Sequence, residues 1–368
     1  MQLLLTFVTV IVSSVVMSTK WFKSMKTRKK TKFDYEIIKT ACYLINFITM
    51  RQVFKKKVLY VGVVVIVLII FLHPDMNGHR TYEYIEKDDI LDNLHYETAE
   101  NFSSNALSDC EYRDILFDET TLSPDIKDGD LVEGHRIKEG GEYAPLECKP
   151  KFSTAIVLPY RDRAEQLRMF LIYMHMFLRR QLIHYRIFVI EQVDSRPFNR
   201  AKLMNVGAVT AARAGFPCLI LHDVDLLPLR PANIYACTKN PRHLSSSIDK
   251  FRFVLPYLGL FGGAIAITTA QYSEINGMSN EYYGWGGEDD DLYIRLEAHG
   301  LTRCRFEPGT SRYHMLTHRH EPRTNTQKIT KLLNYAKNRL KVDGLNSLQY
   351  TEVATVLHPL FTHIMVDL

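Results

Sequence analysis

The sequence carries little net charge for its length. Its 46 lysines and arginines stand against 41 acidic residues, which gives +5 over 368 residues. The densest basic segments lie near the N terminus, at residues 20–32 and 55–57. Clusters of this kind are typical of the flanks of a membrane segment rather than of a nucleic-acid-binding surface. We therefore expect no nucleic-acid partner.

Long uncharged apolar runs are also scarce. One covers residues 58–72, and as a helix it would span about 22 Å, which is short for an average bilayer but sufficient for a thin one. A buried core strand is the alternative interpretation. The lysines at 55–57 favour a membrane anchor whose N-terminal side is cytosolic and whose C-terminal side is lumenal. Residues 1–17 are either a signal peptide or a weaker span, which translation from Met25 or Met50 would remove.

This topology predicts four regions. Residues 1–57 form a basic cytosolic region, and residues 58–72 form the transmembrane signal-anchor. Residues 73–145 are polar, rich in Asp and Glu, and lack sustained periodicity, so we expect a stem there. Periodic structure follows, and residues 146–368 are numerous enough to bury a sizeable core as one lumenal domain.

Cysteine is scarce, and the chain contains one glycosylation sequon, Asn101-Phe102-Ser103. The six cysteines include Cys42, which is cytosolic under this topology. The other five lie in an oxidising compartment, so at least one of them is unpaired. Their connectivity does not follow from the sequence alone.

The lumenal domain alternates strand patterns with helix patterns. In order, these are strand 155–158 ending at Pro159, a helix with Leu167, Leu171, Met174 and Leu178 at helical spacing, strand 184–193, helix 199–215 and strand 218–225. Such alternation predicts a mostly parallel sheet with helices on both faces. Ligands bind at the carboxyl ends of the strands in such sheets.

Asp223 and Asp225 flank Val224 at the end of a hydrophobic strand. In an extended segment they would point to the same side, towards one object. The alternative is a turn in which an aspartate caps the next element. Two carboxylates here also suit a hard divalent cation, and such an ion neutralises the diphosphate of a nucleotide-sugar. Arg161 and Arg163 follow another strand and either grip phosphate or form a solvated surface pair.

Further metal ligands occur downstream, in the segment RYHMLTHRH. It offers His314, Met315, His318 and His320. His314 and His318 could share a helix face, while Met315 and His318 are three apart and could also converge. The spacing leaves the pairing open.

Four consecutive carboxylates, residues 288–291, follow a Gly-Trp-Gly-Gly run. Leu292 and Leu296, followed by Gly300, predict a short helix that stops at the glycine. Acidic residues in the first turn are stabilised by the helix dipole. That effect explains one or two of the four acids, so we expect the others to have a different role.

Seven motifs occur in order between residues 158 and 348: LPYRDR, PFNRAKLMNVG, HDVDLLP, DKFRFVLPYLGLFGG, GWGGEDDDLYIRL, HMLTH and DGLNSL. Together they resemble the β-1,4-galactosyltransferase family (glycosyltransferase family 7), especially its invertebrate β-1,4-N-acetylgalactosaminyltransferases. The resemblance implies a GT-A (Rossmann-like) α/β fold and a type II Golgi membrane glycoprotein. Its single lumenal catalytic domain would cover residues 146–368, behind the anchor and the stem.

The resemblance also assigns roles to residues. It implies a uridine diphosphate sugar site formed by Pro159, Tyr160, Arg161, Arg163, Phe198, Arg200, Val224, Asp225, Lys250, Leu260 and Trp285. It implies Mn²⁺ held by Asp225, Met315 and His318, although a thioether is an unusual ligand for a hard ion. It implies an inverting transfer in which Asp289, beside Glu288, takes the proton of the acceptor hydroxyl.

The acceptor site and the covalent links follow from the same resemblance. The implied acceptor residues are Tyr257, Gly287, Glu288, Asp289, Lys328 and Ile329, with the last two standing where Arg and Phe are usual. Trp285 would lie on a mobile loop, and the remaining acids would orient hydroxyls and cap the helix. The implied disulfides are Cys110–Cys148 and Cys218–Cys237, with Cys304 free and Asn101 glycosylated.

Leu260 departs from the vertebrate pattern, in which a tyrosine precedes Phe-Gly-Gly. A smaller apolar side chain leaves room for the acetamido methyl of a donor sugar, and one such contact is worth about 1–3 kcal/mol. We therefore expect transfer from UDP-GalNAc to terminal β-GlcNAc on a glycoprotein or a glycolipid. The alternatives are UDP-galactose as donor and an inactive GlcNAc-binding lectin. A homodimer or an accessory membrane protein is a further candidate partner.

Overall fold

The structure is a computed structural model, and it describes residues 43, 55–69, 82–99, 107–125, 137–317 and 325–368. The chain divides into two compact units, Met1–Met76 and Asn77–Leu368. In the first unit, helix α1 covers residues 55–69. None of the helices in the described part of the chain combines the length and the apolarity that a membrane crossing requires. The segments 1–17 and 70–72 and the sequon at Asn101 lie outside the described residues.

The second unit contains the strands and the remaining helices. The strands are β1 (Glu142–Tyr143), β2 (Ser153–Tyr160), β3 (His184–Gln192), β4 (Cys218–His222), β5 (Leu226–Pro228), β6 (Arg242–His243), β7 (Ser247–Ile248), β8 (Ala264–Thr268), β9 (Arg312–Met315), β10 (Thr351–Leu357) and β11 (Thr362–Asp367). The helices are α2 (Ile90–Asn93), α3 (Arg113–Leu116), α4 (Ala164–Arg179), α5 (Arg200–Arg213), α6 (Thr269–Glu274), α7 (Glu288–Ala298), α8 (Thr326–Asn334) and α9 (Ala336–Arg339). Short 3₁₀ helices cover Lys87–Asp89, Asp249–Phe251 and Leu345–Ser347.

The main sheet has the strand order β10-β11-β3-β2-β4-β8-β6, and β1 pairs with β3 outside this path. The pairs β11–β3, β3–β2 and β2–β4 are parallel, whereas β10–β11, β4–β8, β6–β8 and β1–β3 are antiparallel. The sheet is therefore mixed, and the prediction of a mostly parallel sheet is wrong outside its central strands. The short turn between β10 and β11 permits only antiparallel pairing. A smaller sheet has the order β5-β9-β7.

Strand β2 continues through Pro159, where the sequence predicts a break. Its pairing with β4 ends at Val157, while its pairing with β3 runs on to Tyr160. The missing N–H of Pro159 therefore removes no bond to β4. Because the strand continues, it delivers Pro159 to the carboxyl edge of the sheet.

Helices cover both faces of the sheet, as predicted. On one face, Ile156 of β2 belongs to the same buried cluster as Phe170 of α4. On the other face, Val157 belongs to a cluster with Leu203 of α5. A side chain at Gly207 of α5 would begin 2.2 Å from Val157 Cγ1, so this helix lies very close to the sheet.

Part of the segment predicted as the stem, residues 73–145, is folded. Within that range Ile90, Leu94, Tyr112 and Leu116 are buried in the cluster on the α4 face. Each pair is four residues apart, but the helices at these positions have only four residues, too few for a sustained periodic signal. Burial of this kind makes the segment part of the folded domain rather than a linker.

Two disulfides are present, Cys110–Cys148 and Cys218–Cys237, as the family resemblance implies. Cys304 is a free cysteine. The first disulfide links the segment before β1 to the body, and the second joins the start of β4 to the loop after β5. Cys148 precedes β2 and Cys218 begins β4, so both links lie towards the amino ends of these strands, away from the carboxyl edge.

Candidate active site

A cavity of about 270 Å³ lies at the carboxyl ends of β2 and β4. The residues implied for the donor site that line it are Pro159, Arg161, Arg163, Phe198, Arg200, Val224, Asp225, Lys250, Leu260 and Trp285. Tyr160 is the exception, because it packs against the cluster on the α4 face. Alternation along β2 sends neighbouring side chains to opposite faces, so Pro159 and Tyr160 do not share the cavity.

Asp223, Val224 and Asp225 form a turn. Strand β4 ends at His222, and β5 begins at Leu226. The argument from strand alternation is therefore wrong, although both aspartates still line the cavity. Burial raises the pKa of the Asp223 carboxyl to about 6, against the opposing effect of Arg200.

Strand β9 brings Met315 to the same cavity. In the pairing of β5 with β9, Leu226 lies opposite Met315, and the Leu316 N–H donates to the Asp225 carbonyl over 2.7 Å. His314 precedes Met315 in the strand, and its Nδ1 contacts Asp249 Oδ2 instead. A helix face shared by His314 and His318 is therefore excluded, because His314 lies in a strand.

Two of the three implied metal ligands, Asp225 and Met315, meet at the cavity, while His318 lies outside the described residues. In the described part of the chain, no three His, Cys, Asp or Glu side chains form a group that could hold a metal ion by themselves. One carboxylate and one thioether fit a weak site that needs further ligands from His318 and from a bound diphosphate. The residues present are thus compatible with the implied ion.

Glu288 and Asp289 begin helix α7 and line the cavity. Arg200 Nη1 donates to Asp289 Oδ1 over 2.9 Å, and Arg200 Nε donates to Asp223 Oδ1 over 2.6 Å. One guanidinium therefore joins the turn after β4 to the start of α7. Glu288 Oε2 is buried and has no hydrogen-bond partner among the described residues. An orphaned buried carboxylate oxygen at a cavity is a group that a ligand hydroxyl can satisfy.

Burial raises the pKa of Asp289 to about 7, with Arg200 opposing the shift and Glu288 and Asp223 adding to it. A carboxylate whose pKa lies near neutral pH can accept a proton efficiently during a reaction. Asp289 therefore has the protonation behaviour expected of a general base.

The other two acids of the run have structural partners. Asp290 accepts a hydrogen bond of 2.9 Å from the Tyr257 hydroxyl. Asp291 is fully buried and accepts from Arg295 Nε over 2.6 Å, from Arg339 Nη2 over 2.9 Å and from the Tyr282 hydroxyl over 3.0 Å. The expectation that both acids cap the helix or orient ligand hydroxyls is wrong for Asp291, which is committed to two arginines.

Trp285 is about half exposed at the cavity, between Gly284 and Gly286. Gly286 has φ +109° and Gly287 has φ +95°, which other residues rarely adopt. A side chain at Gly287 would begin 2.7 Å from Ile329 Cγ2 of α8. Helix α8 therefore packs directly on the glycine segment that carries the tryptophan.

The implied acceptor residues other than Glu288 and Asp289 do not line the cavity itself. Lys328 lies 5.9 Å from the centre of the Tyr283 ring, and Ile329 contacts the glycine segment. Tyr257 contacts Asp290, next to the carboxylates that do line the cavity. These residues therefore border the end of the cavity at the start of α7.

Gly262 is a site residue that the sequence did not reveal. It lines the cavity, and a methyl group on it would lie 1.9 Å from Asp289 Oδ2. The backbone of Gly262 therefore packs directly against the carboxylate of Asp289. The available signal was the Gly-Gly pair two residues after Leu260, but nothing local connects it to residue 289.

Gly262→Ala is expected to leave the fold intact and to lower kcat about 10²-fold, because a misplacement of about 1 Å at a reacting group has effects of that size. The nearest atoms that the new methyl group would meet belong to the Asp289 carboxyl, so this side chain has to shift while the backbone stays in place. Gly259→Ala is the matched control, since its methyl group would meet nothing closer than Tyr257 Cδ2 at 3.5 Å. Equal kcat in the two variants would contradict the contact.

Comparison with known proteins shows the family of the chain. The chain matches the N-terminal region of glycosyl transferase group 7 over residues 118–238 and the N-terminal domain of galactosyltransferase over residues 242–319. It is 42% identical over 242 residues to human beta-1,4-galactosyltransferase 2, covering 64% of each chain. It is 38% identical over 301 residues to rat beta-1,4-galactosyltransferase 3, covering 78% of this chain and 76% of the relative. The chain thus spans slightly less than two thirds of the first relative's length.

The catalytic domain of Drosophila beta1,4galactosyltransferase 7, solved with xylobiose, is similar in structure. The TM-score is 0.52 at 29% identity, with 59% of this chain and 94% of that chain covered. A mutant of the same Drosophila protein, solved with manganese, UDP-Gal and xylobiose, gives a TM-score of 0.51. The fold is thus a GT-A-like α/β fold with a mixed sheet. The chain belongs to the β-1,4-galactosyltransferase family, glycosyltransferase group 7.

Proposed function

We propose that this protein is an inverting, manganese-dependent β-1,4-N-acetylgalactosaminyltransferase. It would move GalNAc from UDP-GalNAc to the 4-hydroxyl of terminal β-GlcNAc on glycoprotein or glycolipid glycans. The observation that carries the proposal is the shared cavity of Asp225, Met315 and Asp289. The Drosophila relative solved with manganese and UDP-Gal supports the same class of donor.

The reaction assigns one proton transfer to Asp289. The acceptor oxygen O4 bonds to the anomeric carbon of the donor sugar as its proton passes to the Asp289 carboxylate. The bond from that carbon to the β-phosphate oxygen breaks, and UDP leaves with the electron pair. Attack from the face opposite the phosphate inverts the anomeric configuration. The orphaned Glu288 Oε2 is available to accept a hydrogen bond from a sugar hydroxyl.

The leaving diphosphate would lie at the opposite side of the cavity. Asp225, Met315 and His318 would hold Mn²⁺, which neutralises the charge of the departing phosphate. Arg161 lies over the Phe198 ring at 5.2 Å, and its Nη1 donates to the Arg196 carbonyl over 2.7 Å. Such contacts hold the guanidinium at the cavity wall, where it can bind phosphate.

The choice of GalNAc rests on Leu260, which lines the cavity. Its side chain leaves space for an acetamido group and offers an apolar contact to the methyl. UDP-galactose is the second candidate donor, because the curated relatives carry galactosyltransferase names. An inactive GlcNAc-binding lectin is a more distant candidate. The presence of all the implied metal and base residues disfavours it; these are Asp225, Met315, His318 and Asp289.

Leu260→Tyr is expected to lower the ratio of kcat/KM for UDP-GalNAc to that for UDP-galactose about 10- to 200-fold, since a crowded methyl contact has effects of this size. Leu258→Tyr in the same loop is the control, because Leu258 is half exposed and does not line the cavity. The donor proposal fails if Leu260→Tyr keeps the wild-type preference for UDP-GalNAc.

We also propose a Golgi location, with α1 in the membrane anchor, the second unit in the lumen and Asn101 glycosylated. Two disulfides in the second unit support an oxidising compartment. A homodimer or an accessory membrane protein remains a proposed partner.

A further inference from the structure

The loop between Tyr257 and Gly263 has no regular secondary structure, yet alternate carbonyls along it are bound by buried side chains. Arg305 Nη2 donates to the Leu258 carbonyl over 3.0 Å and to the Leu260 carbonyl over 2.8 Å. His243 Nε2 lies 3.0 Å from the Gly262 carbonyl. These three carbonyls fix the path of the backbone on both sides of Leu260.

The donors of these bonds form one connected group. Arg305 Nε donates to His243 Nδ1 over 3.2 Å, which leaves the proton of the neutral imidazole on Nε2 for the Gly262 carbonyl. Arg303 Nη2 adds a second bond of 3.0 Å to the Leu258 carbonyl. We call Arg303, Arg305 and His243 the carbonyl-binding group. Burial, with a further contribution from Arg305, lowers the pKa of His243 to about 3, so it stays neutral.

The two arginines of this group have no carboxylate within ion-pairing distance among the described residues. Arg305 is only 4% exposed. Buried guanidinium groups are usually paired with acids, because an unpaired charge loses its hydration. Here the loop carbonyls take the place of an acid, because Nη2 of Arg305 donates to two of them.

The segment that the sequence assigned to the stem covers this group. The Tyr82 ring lies 5.1 Å from the Arg305 guanidinium, and the Tyr82 hydroxyl lies 2.9 Å from Ser246 Oγ. The Ile85 N–H donates to the Arg305 carbonyl over 2.9 Å. This cover keeps water from competing with the carbonyls for the guanidinium.

We propose that Arg305 is a positioning residue that determines which donor sugar the site prefers, by fixing the backbone on either side of Leu260. The inference rests on the proposed donor-site role of Leu260. Selectivity that depends on one methyl-sized contact is sensitive to small displacements of the loop. Arg305 does not line the cavity, so its effect on the donor acts through the loop.

Arg305→Lys tests this role, because lysine keeps the charge but lacks the planar fork that reaches two carbonyls. The ratio of kcat/KM for UDP-GalNAc to that for UDP-galactose is expected to change at least fivefold, while the Kd for UDP with Mn²⁺ stays within twofold of wild type. Arg303→Gln is the matched control and should keep the ratio within twofold, because the one loop carbonyl that Arg303 binds, that of Leu258, is also held by Arg305. The Arg303 guanidinium otherwise lies over the Tyr293 ring at 4.2 Å, outside the loop.

An equal loss of kcat/KM for both donors in Arg305→Lys, or an equal change of the ratio in Arg303→Gln, would overturn the proposal. Should Arg305→Lys fail to fold, Tyr82→Leu replaces it as the test: this variant removes the ring that covers the Arg305 guanidinium, and the ratio must change. An unchanged ratio in Tyr82→Leu then overturns the proposal. If the wild-type enzyme prefers UDP-galactose, the proposal that UDP-GalNAc is the donor fails. The role of Arg305 is still tested, because it depends on whether Arg305→Lys changes the ratio of kcat/KM for the two donors.

Discussion

Asp289→Asn is expected to lower kcat about 10³-fold, because positioned general bases contribute about 10²- to 10⁴-fold. The amide keeps the shape of the side chain and its contact with Arg200 Nη1, but it cannot take a proton from the acceptor hydroxyl. Binding of the donor should change little, since the cavity wall formed by Arg161, Phe198 and Asp225 is untouched. Steady-state kinetics with donor and acceptor varied separately would measure both effects.

Asp290→Asn is the matched control for this change. Asp290 is the next residue of the run, and its Oδ1 accepts from the Tyr257 hydroxyl, a bond that an amide oxygen also accepts. We expect kcat within about threefold of wild type, because the hydrogen bond from Tyr257 is kept and only the negative charge of its acceptor is lost. If both variants lose activity equally, Asp289 has no special role as base.

The dependence of kcat/KM on pH is a second, independent test of Asp289 as the general base. The base must be deprotonated to act, so wild-type kcat/KM should rise with pH and level off above the pKa of Asp289, which burial raises to about 7. Arg200, which opposes that shift, and Glu288 and Asp223, which add to it, are the charged groups that face this carboxyl. The residual activity of Asp289→Asn should lack this acid limb.

Asp291→Ala is expected to lower the free energy of unfolding by about 3–5 kcal/mol, the usual effect of removing one partner from a buried ion pair. Asp291 and Arg295 are fully buried, and the change leaves the guanidinium groups of Arg295 and Arg339 without this acid. Asp343 still contacts both arginines, so the remaining charge is two cations against one acid. Urea unfolding followed by circular dichroism would measure the loss.

Asp290→Ala serves as the stability control. Asp290 accepts an exposed hydrogen bond from the Tyr257 hydroxyl, so its replacement should cost less than about 1 kcal/mol. A loss below about 1 kcal/mol for Asp291→Ala would mean that the buried network contributes little to the fold. Asp290 and Asp291 have the same side chain, so the expected difference in unfolding free energy between the two variants comes from their surroundings alone.

Much of the fold could be predicted, because α4 and α5 are long helices and β2, β3 and β4 are apolar runs typical of buried strands. The antiparallel edges of the main sheet and the smaller sheet could not be predicted. Strands β5, β6 and β7 have two or three residues each, too few for a pattern to form. Strand β10 has no buried residue, so it carries no alternation that would reveal it.

The sequence predicted which residues form the candidate site, but it did not predict the hydrogen bonds and ion pairs between them. The motifs identified Asp225, Met315 and Asp289 through the family resemblance. The partners of the four acids come from distant segments, such as Arg200, Tyr257 and Arg339, and no local pattern relates residues so far apart. The contact of Gly262 with Asp289 is likewise a product of tertiary structure.

The most direct test of the account is a transfer assay with the full-length protein, Mn²⁺ and a GlcNAc-terminated acceptor, using UDP-GalNAc and UDP-galactose in parallel and assigning the product linkage by NMR. The account predicts a β-1,4-linked product, formed faster from UDP-GalNAc. Failure to transfer any uridine-linked sugar, by a folded protein that still binds GlcNAc, would contradict it.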